Sequence, residues 1–325
     1  MSVQVTSEYI SLLNQAISRE FQVSLQYMLQ HTKMEKIIRK ALPENILLDK
    51  TTYETMGTFL KEFAIQEMKH AAKIMERIYY LGGSATTKAD KPIVGSTLSE
   101  FAKNGVKAEE EALVLYRRIL DASAKLGDRQ THEIFEKIYN DEEAHLFKFQ
   151  EYVTSKDEVE EESSAVSEWR KIFTSDYFVL LNKAVASEIS AIIQYTNQHE
   201  KANLLALRRK DTALEVISEK NKAKVISDLL KGIFMQEMDH LEKISERIYL
   251  LEGEAPSLPD PLPQVGETAN DFVKLDHTAE NDAIVLYRRI IAEALKQGDT
   301  TTRHLFESIV MQEEDHYWKF DDFMR

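Results

Sequence analysis

Two pairs of residues in this chain combine a carboxylate with an imidazole at helical spacing, and each pair occurs twice. Glu67 and His70 lie in "QEMKH", and Glu237 and His240 in "QEMDH". Glu142 and His145 lie in "NDEEAH" and return as Glu313 and His316 in "MQEEDH". Residues i and i+3 project from one face of an α-helix, so each pair aims two kinds of metal donor at one place. A lone Glu-x-x-His is usually a solvated helix face. Two of them on separate helices, with one Glu from each of two further helices, form the donor set of a carboxylate-bridged dinuclear metal centre inside a four-helix bundle.

Aligning the chain on itself supplies the remaining acids. "QEMKHAAKIMERIYYL" (66–81) matches "QEMDHLEKISERIYLL" (236–251), and "EALVLYRRIL" (111–120) matches "DAIVLYRRII" (282–291), at an offset that drifts only from 168 to 171. Similarity at one fixed separation marks an internal duplication. "AEEEALVLYRR" corresponds to "AENDAIVLYRR", so of Glu109, Glu110 and Glu111 only Glu109 is still Glu in the copy, as Glu280. Glu20 precedes Tyr27 by seven residues, and Glu188 precedes Tyr195 by seven. Each repeat thus offers four Glu and two His.

Four carboxylates balance two divalent cations. Without metal, each carboxylate brought into a core faces a desolvation cost of several kcal/mol and the repulsion of its neighbours. Oxygen and imidazole donors suit iron or manganese, whereas magnesium needs no His and structural zinc favours thiolates or a tetrahedral set. The 325 residues include no Cys, which excludes disulfides, thiolate-bound zinc and iron–sulfur clusters.

The elements that must position these donors are helices. Ten Gly and six Pro are few for the length, which favours long helices and an all-α fold. In the first repeat, helix A is predicted from Ser7 to Lys40, B from about Thr51 to Leu81, C from a Thr97/Glu100 capping box to Gly127, and D from Asp128 to about Val153. The second repeat gives A from about Ser175, B to Leu251, C from Thr268 to Gly298, and D from Asp299 onward. The expected organisation is two tandem four-helix bundles, 1–154 and 174–325, joined by an acidic linker, 155–173. The two A–B connections differ between repeats and are expected to carry extra helical turns.

A net charge of −14 argues against nonspecific binding to nucleic acid or anionic membranes and suits a protein that attracts cations. The polar start and the lack of an uncharged apolar run of about 18 residues lead to the expectation of a cytoplasmic protein.

The segments "SREFQVSLQYMLQH", "QEMKHAAKIMERIYYLGG", "AEEEALVLYRRIL" and "YNDEEAH", with their second-half counterparts, resemble the ferritin-like superfamily and bacterioferritin within it. The resemblance covers nearly all of both repeats. It implies ferroxidase ligands at Glu20, Glu67, His70, Glu109, Glu142 and His145, and at Glu188, Glu237, His240, Glu280, Glu313 and His316, with Glu67 and Glu142 bridging two irons. That amounts to four irons per chain. It also implies a site tyrosine at Tyr27 and Tyr195, acting as electron donor or hydrogen-bond partner, and haem ligation by Met68 and Met238; for Met, core packing is the bland alternative. Glu62 and Gln66, with Gly232 and Gln236, depart from the family's inner-surface iron site. Nine residues follow His316, too few for the fifth helix of the storage cage, so a 24-subunit shell and bulk iron storage are not expected, while a smaller oligomer stays open.

Three other features have bland readings. His31 and His199 are expected at a helix end or surface. His277, one turn before Glu280, reads as a variant ligand at most. Tyr116-Arg117-Arg118 and Tyr287-Arg288-Arg289 read as packing plus interhelix salt bridges. The leading function is a di-iron ferroxidase using O2 or H2O2. The alternatives are a di-iron or di-manganese peroxidase, catalase or hydroxylase, and a haem-binding electron carrier.

Overall fold

A computed structural model describes residues 5–41, 47–153, 173–208 and 214–324. Among these there are eight helices and no strand. Helices α1 (Ser7–Ala41), α2 (Leu47–Tyr80), α3 (Leu98–Leu126) and α4 (Arg129–Val153) form one compact unit. Helices α5 (Ser175–Arg208), α6 (Leu214–Leu250), α7 (Ala269–Gln297) and α8 (Thr300–Met324) form the other. The expected linker falls outside the described residues except for Phe173. Helix α2 begins four residues before the predicted Thr51, in keeping with the extra helical turn expected at the A–B connection.

Within the first unit α1 packs mainly on α2 and α3 on α4, and contacts of α1 with α3 and of α2 with α4 close the bundle. The same pairings recur in the second unit. The segment linking α2 to α3 is non-helical and lies along α1. Ile93 N donates to Gln26 Oε1 (3.1 Å), Gln30 Nε2 to the Val94 carbonyl (2.8 Å) and Lys33 Nζ to the Gly95 carbonyl (3.0 Å). Such a crossover lets α3 return beside α1, the arrangement that brings acids of both helices to one centre.

The helix ends are written in the sequence. Thr97 and Glu100 form the capping box of α3, and Thr268 and Asp271 form that of α7. Gly127 and Gly298 end those helices at φ 66° and 71°, a left-handed turn that costs glycine nothing. Asp128 then starts α4, accepting from Thr131 N (3.1 Å), while its carboxylate also takes Arg77 Nη2 (2.6 Å) and Tyr9 OH (3.1 Å). One buried carboxylate thereby ties α1, α2 and α4 together. Asp299, Arg247 and Tyr177 repeat the clamp in the second unit.

The repeats are not copies throughout. Gly105 lets Phe149 close on α3, since a Cβ there would stand 2.4 Å from the ring. Its counterpart is Asp276, fully buried and accepting from Gln194 Nε2 (2.9 Å). Burial raises the Asp276 carboxyl well above its ordinary range.

Candidate metal centres

All twelve Glu and His residues singled out above are buried, and they meet in two separate clusters, one per unit. In the first unit α1 supplies Glu20, α2 supplies Glu67 and His70, α3 supplies Glu109, and α4 supplies Glu142 and His145. Two overlapping donor groups result, Glu20–Glu67–His70–Glu142 and Glu67–Glu109–Glu142–His145, each with ligand atoms within 4.8 Å of one another. Glu67 and Glu142 belong to both. The second unit repeats this with Glu188–Glu237–His240–Glu313 and Glu237–Glu280–Glu313–His316, sharing Glu237 and Glu313.

Nδ1 of each His faces the acids. His70 Nδ1 lies 3.0 Å from Glu67, 3.1 Å from Glu142 and 3.8 Å from Glu20. His145 Nδ1 lies 2.9 Å from Glu67 and 3.0 Å from Glu142. A single ring N–H cannot serve several carboxylate oxygens, whereas a cation between them can. Glu20 Oε2 and Glu109 Oε2 are buried oxygens that accept no hydrogen bond from any described residue, a costly condition that a metal ion relieves. The residues present therefore fit a pair of divalent metals per unit.

A reciprocal device holds the outer acids. Glu20 and Tyr27 are two turns apart on α1, as Glu109 and Tyr116 are on α3. Tyr27 OH donates to Glu109 Oε1, and Tyr116 OH donates to Glu20 Oε1 (2.5 Å), so each helix orients the acid of the other. In the second unit Tyr195 OH donates to Glu280 (2.6 Å) and Tyr287 OH to Glu188. Burial, then the charge of neighbouring carboxylates, raises all four phenols well above their ordinary range and keeps them donors. Tyr116 and Tyr287 are thus more than the packing residues expected; the seven-residue spacing from Glu109 and Glu280 was the missed signal. Their neighbours do bridge helices: Arg288 Nη2 meets Glu314 at 2.6 Å.

The metal-free electrostatics divide the acids. Burial pushes Glu67 up, but the charge of His145 and the bonds from both imidazoles outweigh it and hold the carboxyl well below the usual range. Glu237 behaves alike between His240 and His316. Burial, and then Glu142, raises Glu20 and Glu109 well above it; Glu188 and Glu280 are raised by burial and by Glu237 and Glu313. Burial alone would lower the imidazoles, yet the carboxylates carry His145 up to about 11 and His240 and His316 up to about 12, and raise His70 too. Because the imidazoles are raised and a metal takes only the deprotonated nitrogen, metal binding is expected to displace protons. Adding Co(II) to apo-protein in weak buffer near neutral pH is expected to release protons with each bound ion, and binding should weaken as pH falls. A pH-indicator titration checks this, and metal uptake with no proton release contradicts it.

The other histidines lie outside both clusters. His199 is buried in mid-helix, with Nδ1 on the Ser227 carbonyl (2.7 Å), and His31 reaches the Gly57 carbonyl (2.7 Å) in the same way. Neither has the expected helix-end or surface role; both pin one helix to the next. His277 stacks on Tyr317 (4.1 Å between ring centres), lies 3.6 Å from Asp321 and belongs to neither donor group. Met68 and Met238 are both buried.

The Ferritin-like domain family model matches residues 10–157 and 179–325. The chain therefore belongs to the ferritin-like family, represented here by two tandem domains. Its curated relatives are bacterioferritins. The chain is 31% identical over 141 residues to that of Desulfovibrio desulfuricans, covering 43% of this chain and 71% of the relative. It is 33% identical over 138 residues to that of Rhodobacter capsulatus, covering 42% and 74%. Solved structures include the Rhodobacter capsulatus protein with a metal-free dinuclear site and haem iron in a crystallographic special position (28% identity, 46% of this chain and 86% of that one, TM-score 0.40). Another is the Desulfovibrio desulfuricans protein with its diiron site in different catalytic states (28%, 46% and 79%, TM-score 0.39). Among the described residues, no helix is long and apolar enough to cross a membrane.

Proposed function

We propose that the chain is an iron-handling oxidoreductase that oxidises Fe(II) with O2 or H2O2 at one dinuclear site in each bundle. The observation that carries the reading is the sharing of Glu67 and Glu142, and of Glu237 and Glu313, between adjacent donor groups. Two carboxylates common to two positions hold a pair of ions rather than two independent ones. The bacterioferritin relatives support iron as the metal.

The iron pair supplies two electrons to one oxidant molecule. The protein residues do the rest. Glu67 and Glu142 would be shared by the two ions and His70 and His145 would each serve one of them; Tyr116 and Tyr27 orient the outer carboxylates and, in the second unit, Tyr287 and Tyr195 do the same. Burial of the donors keeps their charges less screened than at the surface. The chain's excess of acids draws cations toward the sites. Stopped-flow mixing of apo-protein with Fe(II) in aerated buffer tests the reading, which requires oxidation faster than in buffer alone.

A cavity of about 320 Å3 opens on the second centre, where Ala191, Leu262 and Leu275 line it together with Glu188 and Glu280. Its partly apolar lining favours a second reading, oxidation of a small organic molecule at that centre; such a compound must slow iron oxidation there if it binds. Di-manganese chemistry on peroxide is distinguished by peroxide turnover in manganese-loaded protein. Haem ligation by Met68 and Met238 requires a Soret band after haem addition. Self-assembly of the chain, on the pattern of its relatives, is read from its mass in solution.

A further inference from the structure

The two bundles present the same ligands to the metals but hold the histidines differently from behind. Once Nδ1 ligates a metal, Nε2 carries the ring proton and needs an acceptor; the nature of that acceptor sets how strongly Nδ1 donates. In the first unit His70 Nε2 faces a carboxylate, Asp141 Oδ2, at 3.2 Å. His145 Nε2 has no hydrogen-bond partner among the described residues, and its ring stacks on Phe63, 3.8 Å between centres. In the second unit both histidines face neutral amides: His240 Nε2 meets Gln312 Oε1 at 2.6 Å, and His316 Nε2 meets Gln236 Oε1 at 2.8 Å.

The difference is written in the sequence. Asp141 and Gln312 occupy one aligned position, immediately before Glu142 and Glu313. Gln66 and Gln236 are the same residue, yet no bond joins Gln66 to His145, whose ring stacks on Phe63 where the second repeat has Ile233. Among the described residues one histidine is therefore backed by an anion, two by amides and one, His145, by no side-chain acceptor.

We propose that Asp141 makes the His70 position of the first unit the tightest metal position in the chain, so that the four positions fill in a set order beginning there. An anionic acceptor pulls the Nε2 proton and leaves more charge on Nδ1, which a divalent cation rewards. An amide does this weakly, and a histidine without a protein acceptor gains nothing of the kind. Loss of such a partner typically costs about 10–100-fold in metal affinity. Asp141 is 46% exposed at its side chain, so solvent screening places the effect near the lower end of that range. The proposal rests on both clusters being metal centres, and it adds that they are unequal.

Anaerobic titration of the full apo-chain with Co(II), followed by calorimetry and by the visible d–d band, tests it. The expected wild-type isotherm has one equivalent bound at least about tenfold more tightly than the next. Asp141→Asn keeps size and an acceptor oxygen but removes the charge; it should merge that equivalent with the others, shift its band and still bind four ions. Gln312→Asp should create a second tight equivalent. Unchanged melting of the metal-free Asp141→Asn protein separates this from damage to the fold. Four indistinguishable equivalents in the wild type, or an Asp141→Asn isotherm like the wild type's, overturn the proposal and leave the metal assignment standing. No bound cobalt overturns both.

Discussion

Glu67→Ala is expected to empty the first unit of both metals, and Glu67→Ala combined with Glu237→Ala to abolish metal binding and oxidation of Fe(II) above the rate in buffer. Glu67 is fully buried and belongs to both donor groups of its unit. It also stands 3.0 Å from His70 Nδ1 and 2.9 Å from His145 Nδ1, so its carboxylate organises both imidazoles. Its loss leaves each position with three donors and removes one of the two bridges, after which the paired geometry has no reason to persist. A Glu110→Ala variant is the control, because Glu110 is the exposed neighbour of Glu109 on the same helix. Elemental analysis after loading should find the control unchanged, the single variant with about half the metal, and the double variant with essentially none.

The largest effect on stability is expected away from the metals, at Arg77. Its guanidinium bonds Asp128 at 2.6 Å, with side-chain exposures of 4% and 1%. Arg77→Met strands a buried carboxylate, and breaking one side of such a pair costs about 3–5 kcal/mol. For a unit of this size that corresponds to a fall in melting temperature on the order of 10 °C. The clamp also has a pH signature. Burial raises the Asp128 carboxyl, but the bonds from Thr131 and the charge of Arg77 prevail and hold it below its ordinary value. Its contribution is present above the unfolded pKa, near 3.9, and is lost as pH falls through the lower folded value. Arg77→Met should shrink that acid sensitivity. Thermal unfolding of both proteins across the acid range measures it, and equal melting temperatures at neutral pH contradict the account.

Much of the site was legible because helical spacing alone decides which side chains share a face. Glu67 with His70 and Glu142 with His145 could be paired from their spacing, and the duplication singled out Glu109 from its acidic neighbours. Thr97, Gly127 and Asp128 marked helix ends for local reasons that tertiary structure did not override. What stayed hidden depends on the relative register of helices, which no local pattern encodes. Tyr116 looked like a packing residue because its partner, Glu20, lies 96 positions away on α1. His199 looked peripheral until Ser227 of α6 came beside it. Asp276 sits at a core position of α7, yet its type argues for the surface; only its alignment with Gly105, where a side chain does not fit, hinted at a different local design.

The repeats diverge in detail while keeping all twelve candidate donors. The donor positions share carboxylates between two groups, whereas Asp141 and Gln312 each meet one histidine, His70 and His240. Asp141 and Gln312 differ between the repeats while the donor residues on either side of the cluster do not.

The central claim is that each chain holds two dinuclear iron centres. Metal content by elemental analysis, on protein offered iron and manganese together and then freed of loosely bound ions, tests it most directly. The account predicts four irons per chain, falling to two in Glu67→Ala or in Glu237→Ala. Fewer than two metal ions in the unaltered chain, four manganese ions in place of iron, or a content that the two substitutions leave unchanged, would contradict it.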